Sequence, residues 1–140
     1  MGSYYPNMNW QRPPAFVRKD SWIDFDWVLN GPLAGRFSVE WTGTIRIPRA
    51  GRYLFATESD DGSFLLLDGQ LIVDNGGSHA RRYVAGRVEI SRSGVYPLAI
   101  RYFNDQYGGM IRVTWQVPGL SEELIPPDVL NPPNAEKGMK

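Results

Sequence analysis

The sequence predicts an all-β fold, an antiparallel β-sandwich of jelly-roll-like type, on three observations. From Phe37 to Ile47, FSVEWTGTIRI, apolar and polar residues alternate with period two, the pattern of a strand with one buried face. Turn signals built from Gly, Pro, Asp and Asn recur along the chain at the roughly 8–12-residue spacing of sandwiches and barrels. No segment longer than a turn or two follows a 3.6-residue period, so no helix competes for the core.

Taken in order, Met1-Gly2-Ser3 reads as a cloning scar, and the start MGSYYPN has no apolar signal-peptide region. The sandwich is expected over residues 4–118. The stretch NWQRPPAFVRKDSWIDFDW carries Trp10, Trp22 and Trp27 among prolines and charges. These rings either plug the ends and edges of the sandwich, the favoured reading, or stand on its surface as sugar platforms. In the first long strand Phe37, Val39, Trp41, Ile45 and Ile47 face inward, and Ser38, Glu40, Thr42, Thr44 and Arg46 face outward. A turn at Pro48–Gly51 leads into RYLFATES, then into the corner Asp60-Asp61-Gly62. SFLLLD and QLIVD flank Asp68-Gly69, a two-residue hairpin signal. The later strands are VAGRVEI, VYPLAIRYF with Tyr96, Leu98, Ile100 and Tyr102 on one face, and MIRVTWQV, which puts Trp115 in phase with the core. Residues 119–140, ending PPDVLNPPNAEKGMK, read as a Pro-rich tail or linker, so the chain is expected to be a module of a longer protein.

Composition narrows the function classes. At 140 residues, 42% hydrophobic, the chain suits one domain with a full core. Fifteen basic and fifteen acidic residues cancel, leaving no broad field for nucleic acid or an anionic membrane. The apolar run Phe64–Leu67 is far too short to span a bilayer. There is no cysteine, which excludes a disulfide framework and thiolate metal sites but not an extracellular location. G-x-S-x-G, a phosphate-binding loop and a zinc-type histidine pair are all missing. Asp60 and Asp61 are adjacent, whereas a glycosidase needs opposed carboxylates. The chain is therefore expected to be a non-catalytic module, a role compatible with a place in a larger carbohydrate-active enzyme.

The corner itself poses a question. A turn needs one Asp or Asn and a Gly, so the second carboxylate of Asp60-Asp61-Gly62 is surplus to turn-making. YYPNMNW, VRKDSWIDFDW, the run from FSVEWTG to LIVDNGG, and VEISRSGVYPLAIRYFND followed by IRVTW together resemble the domain named after the anthrax-toxin protective antigen, the PA-fourteen family. The similarity spans almost the whole chain. It implies a β-sandwich found in secreted glycosidases, glycosyltransferases, adhesins and toxins, where it usually serves as a carbohydrate-binding or interaction module.

In the calcium-dependent adhesin branch of that family, aspartates matching Asp60 and Asp61 are joined by a cis peptide and turn both carboxylates to one Ca²⁺. The chemistry is consistent. Ca²⁺ takes six to eight oxygens at roughly 2.3–2.6 Å, and successive side chains of a trans strand point to opposite faces. Further ligands are expected from NDQYGG, where that branch draws them: Asn104 first, then Gln106 and Asp105. The loop DNGGSHARRY offers Asp74, Asn75, His79, Arg81 and Arg82 as ligand-binding groups, with Tyr107 from the neighbouring loop. For Asp74 and Asn75 the competing role is turn-shaping; for His79 it is loop bracing, and for Arg81-Arg82 a solvated edge. The resemblance thus implies a Ca²⁺-dependent, lectin-like module binding carbohydrate or polysaccharide, extracellular or at the cell surface, secreted or membrane-anchored through its parent protein. It is expected to bind no nucleic acid, to insert into no membrane and to be monomeric when isolated. The alternative is a structural or protein-interaction module. Short loops and the absence of cysteine argue against a deep sugar pocket.

Overall fold

The computed structural model describes residues 1–106 and 109–133. They form two antiparallel sheets packed as a sandwich. The first sheet runs β2 (Phe16–Arg18), β1 (Gly2–Tyr5), β4 (Phe37–Ile47), β9 (Gly94–Asn104), β6 (Ser63–Leu67) and β7 (Gln70–Asn75), with β12 (Leu130–Asn131) also on β4. The second runs β11 (Glu123–Leu124), β10 (Met110–Gln116), β5 (Gly51–Asp60) and β8 (Arg82–Ile90), with β3 (Asp24–Asp26) also on β10. Among the described residues no helix is long and apolar enough to cross a membrane.

The alternation read from the sequence is the alternation of the fold. Phe37, Val39, Trp41, Ile45 and Ile47 are buried on one side of β4, and Leu98, Ile100 and Tyr102 on the same side of β9. Tyr53 and Phe55 of β5 and Ile111, Val113 and Trp115 of β10 face them across the core. Rings dominate this layer: Trp115 lies 5.8 Å from Tyr53, and Trp27 lies 5.4 Å from Phe37 and 5.6 Å from Tyr102, centroid to centroid. Each such ring removes a large apolar area from water, worth roughly 1.5–3 kcal/mol when complete. The Asp68-Gly69 hairpin forms as expected, with φ of 52° and 76°, the left-handed pair that a two-residue turn of this hand requires.

Four expectations need correction. The domain does not begin at Tyr4: Gly2 and Ser3 belong to β1 and pair with Trp41 and Glu40. Nor does it stop at 118, because Ile125 and Val129 are buried in the core while β11 and β12 add to the two sheets. The prolines of that segment frame a short 3-10 turn, Pro127–Val129, and disguise the apolar anchors between them. Finally, the three tryptophans divide. Trp27 is buried, Trp10 is half-buried on the outer face of the first sheet, and Trp22 is 47% exposed and plugs nothing. Ser38, expected outside, is buried beneath the 7–10 segment, where its hydroxyl donates to Asn7 O and accepts from Trp10 N.

Candidate functional site

Along β5 the inward positions change character toward one end: Tyr53 and Phe55 give way to Thr57 and Ser59, all four fully buried. Buried hydroxyls must be bonded, and these are. Ser59 Oγ donates to Asp61 O (2.8 Å) and lies 2.7 Å from Ser63 Oγ, which donates to Thr57 Oγ1 (2.8 Å). This cluster fixes the corner from below, and the Asp60–Asp61 peptide at its top is cis.

Asp61 ties three segments together. Its Oδ1 accepts the His79 N–H (3.0 Å) and its Oδ2 the Asp105 N–H (2.8 Å), so corner, 76–82 loop and β9–β10 loop meet on one nearly buried carboxylate. The Asp60 carbonyl accepts the Tyr102 hydroxyl at 2.6 Å. Burial pushes the Asp60 carboxyl above the usual carboxylate range; the Asp61 charge adds to this, and His79 partly offsets it. Burial, then Asp60 and Asp61, raise the Tyr102 phenol as well. Two carboxylates held together in a part-buried corner repel, which a cation between them relieves.

The other expected residues fare unequally. Asn104 ends β9 and is buried. Asp105 lies at the site; its carboxylate faces Arg36 Nε (3.0 Å) and accepts from Ser78 Oγ (3.0 Å), while its backbone N–H donates to Asp61. Gln106 is exposed at the rim, and Tyr107 lies outside the described residues. Asp74 shapes its turn, Oδ1 accepting from Gly76 N (3.1 Å). Asn75 is corrected from ligand contact to interior brace. It is fully buried, its Nδ2 donates to Arg82 O (2.9 Å), and its Oδ1 accepts from Arg82 Nε (2.8 Å). The His79 ring braces the loop between Ala80 O (2.7 Å) and Asn75 O (2.9 Å). Arg82 is spent on Asn75 and Gly76 O, while exposed Arg81 pairs with Glu58 at 2.9 Å. Arg36, Ser78 and Tyr102 join the site unforeseen, and Gly109 joins it from the expected NDQYGG loop. The polar in-phase run Thr57, Ser59, Ser63 was a legible signal of the end at which they gather.

Whether these residues suit Ca²⁺ is tested at Gly109. A Cβ there would lie 2.1 Å from Asp60 O, 2.1 Å from Tyr102 Oη and 3.1 Å from Asn104 Oδ1, so only glycine fits, and oxygens from the end of β5 and from β9 gather round one point. Among the described residues no three His, Cys, Asp or Glu side chains converge as a metal cage. The donors are instead two carboxylates with amide and carbonyl oxygens, a set that suits a hard cation such as Ca²⁺ and not zinc. The residues fit.

A two-sheet sandwich with paired aspartates at one end defines a class of β-sandwich module. Residues 1–129 match the PA14 domain model, and the chain belongs to that family. It is 31% identical over 135 residues to the anti-sigma-I factor RsgI3 of Acetivibrio thermocellus, a match over 94% of this chain and 21% of that protein. An anti-sigma factor domain-containing protein from Clostridium clariflavum superposes with TM-score 0.86 at 27% identity, over 94% of this chain and 46% of that one. The PA14 sugar-binding domain from an RTX adhesin shares the fold, with TM-score 0.62 and 19% identity over 70% and 55% of the two chains. This chain thus spans about a fifth of the curated relative's length.

Proposed function

We propose that the domain is a Ca²⁺-dependent, lectin-like carbohydrate-binding module of a larger protein, acting outside the cell or at its surface and without catalysis of its own. The observation that carries this reading is the Asp60-Asp61 pair, with Asp61 held by the backbone N–H groups of His79 and Asp105 at the end where Asn104 closes β9. A bound Ca²⁺ supplies exchangeable oxygen coordination at which neighbouring sugar hydroxyls are held. Asp60, Asp61 and Asn104 hold the ion, the buried Thr57–Ser59–Ser63 cluster keeps the corner in place, and Arg81 and Gln106 stand at the rim as hydrogen-bonding groups for ligand. A melt in EDTA followed by one in CaCl₂ tests the metal, and a glycan array in CaCl₂ tests the ligand. The melting temperature is expected to rise with Ca²⁺; a temperature unmoved by millimolar Ca²⁺ removes the reading.

The similarity to anti-sigma factors supports a second reading, in which the parent protein is regulatory and the module either senses a ligand for it or contacts a neighbouring protein segment. Ca²⁺ stabilisation with no glycan bound on the array would favour the protein-contact form.

A further inference from the structure

We infer that the ligand surface extends from the metal corner onto an aromatic groove on the outer face of the first sheet, where Trp10, Phe64 and Phe103 seat the next unit of a neutral oligosaccharide. The inference rests on the lectin reading and adds to it a dependence on chain length.

Pro6, Asn9, Trp10, Arg36, Phe64 and Phe103 line the groove. Phe64 and Phe103 alternate with the buried Leu65 and Tyr102, so they stand on the side of the sheet that is ordinarily polar. Trp10 meets them edge-on at 6.4 Å and 6.1 Å, and all three rings are half-buried. Its placement is built: the backbone takes the left-handed φ of 52°, the amide donates to Ser38 Oγ (3.0 Å), and Nε1 donates to Val39 O (3.0 Å). A non-glycine residue in that region is uncommon and is held there by its surroundings.

Two glycines and one arginine join this groove to the corner. A Cβ on Gly62, next to Asp61, would lie 2.3 Å from the Phe103 ring, and one on Gly76 would lie 2.7 Å from the Phe64 ring. Arg36 lines the groove and also donates to Asp105 O at 3.1 Å, while the Asp105 amide holds Asp61. A unit seated at Asp61 therefore has the groove beside it, with Arg36 between. Aromatic walls with a few polar groups fit a sugar ring, which presents C–H faces and peripheral hydroxyls. Arg36 is paired with Asp105, and Arg101, over the Trp10 ring, with Glu40. The groove therefore carries no surplus positive charge to select an anionic chain.

The test is isothermal titration in CaCl₂ with glucose, xylose and mannose against cellotetraose, xylotetraose and mannotetraose. For the sugar that binds, the tetramer is expected to bind at least about tenfold more tightly than the monomer, about 1.4 kcal/mol. Trp10→Ala and Phe64→Ala should each erase that gain while titrating Ca²⁺ as the parent does. If Trp10→Ala fails to fold, Phe64→Ala and the parent's own chain-length series decide. Monomer and tetramer binding equally to the parent, or a gain that survives in the folded variants, overturns the groove and leaves the lectin reading intact. Binding of none of the six sugars in CaCl₂, with the array also blank, overturns both.

Discussion

Asp61 is the residue on which the site turns, because each of its oxygens anchors a different loop. Asp61→Asn keeps the size and one oxygen but loses the charge that balances a divalent cation and puts a donor where an N–H must be accepted. It is expected to lose measurable Ca²⁺ affinity and glycan binding by isothermal titration while the core strands stay folded at low temperature. Trp115, buried against Tyr53 and Phe55 and donating to Glu123, should cost about 3–5 kcal/mol when truncated to Ala, read from a urea titration. Tyr83 gives a pH-dependent case. Burial, then the Glu122 carboxylate it bonds to, push its phenol up to about 12. The folded state thus favours the protonated phenol, and the Tyr83–Glu122 link is fully present below the ordinary tyrosine value and lost as pH rises through about 12. Ultraviolet titration should show one tyrosine ionising later in the parent than in Glu122→Gln. At this scale the paired aspartates were legible because one carboxylate exceeded what a turn uses. Asn75 was not, because its partners Thr57 and Arg82 reach it only through the folded sheet.

The elements that could be read from sequence are those long enough to repeat their period. β4, with eleven residues, and β9, also with eleven, show it several times over. β11 and β12, with two residues each, cannot show it once, and their sequence reads as linker. Their attachment depends on close backbone approach, which leaves its mark only as a glycine. A Cβ on Gly43 would stand 2.2 Å from Asn131 O, and one on Gly86 would stand 2.0 Å from Ile72 O, where β8 meets β7. Gly86→Ala is expected to cost about 1–3 kcal/mol, the range for overpacking, because two strands must separate. Gly43→Ala should instead displace the two-residue β12, seen as faster amide exchange at 130–131 with the rest of β4 protected. Equal exchange in parent and variant would mean that β12 tolerates the side chain.

For the whole molecule the site is a seam. β5 and β9 come from different sheets and bring their oxygens together where the sheets end, while the His79 and Asp105 N–H groups hold Asp61 from the flanking loops. A ligand that binds only when they are assembled stabilises by mass action, about 2.7 kcal/mol at a hundredfold excess over its dissociation constant. Ca²⁺ should therefore raise the melting temperature of the parent and not of Asp61→Asn. A different consequence lies at the edge of β4. β1 and β12 run in the same direction along that one edge, with Gly2 opposite Trp41 and Asn131 opposite Thr44, so the incoming and outgoing chain meet almost head to tail beside Gly43. A tug on the two ends would load neighbouring points of a single strand, not opposite poles of the body. Tension would then peel off short ribbons in sequence before it reached the end of the sandwich where the aspartates sit.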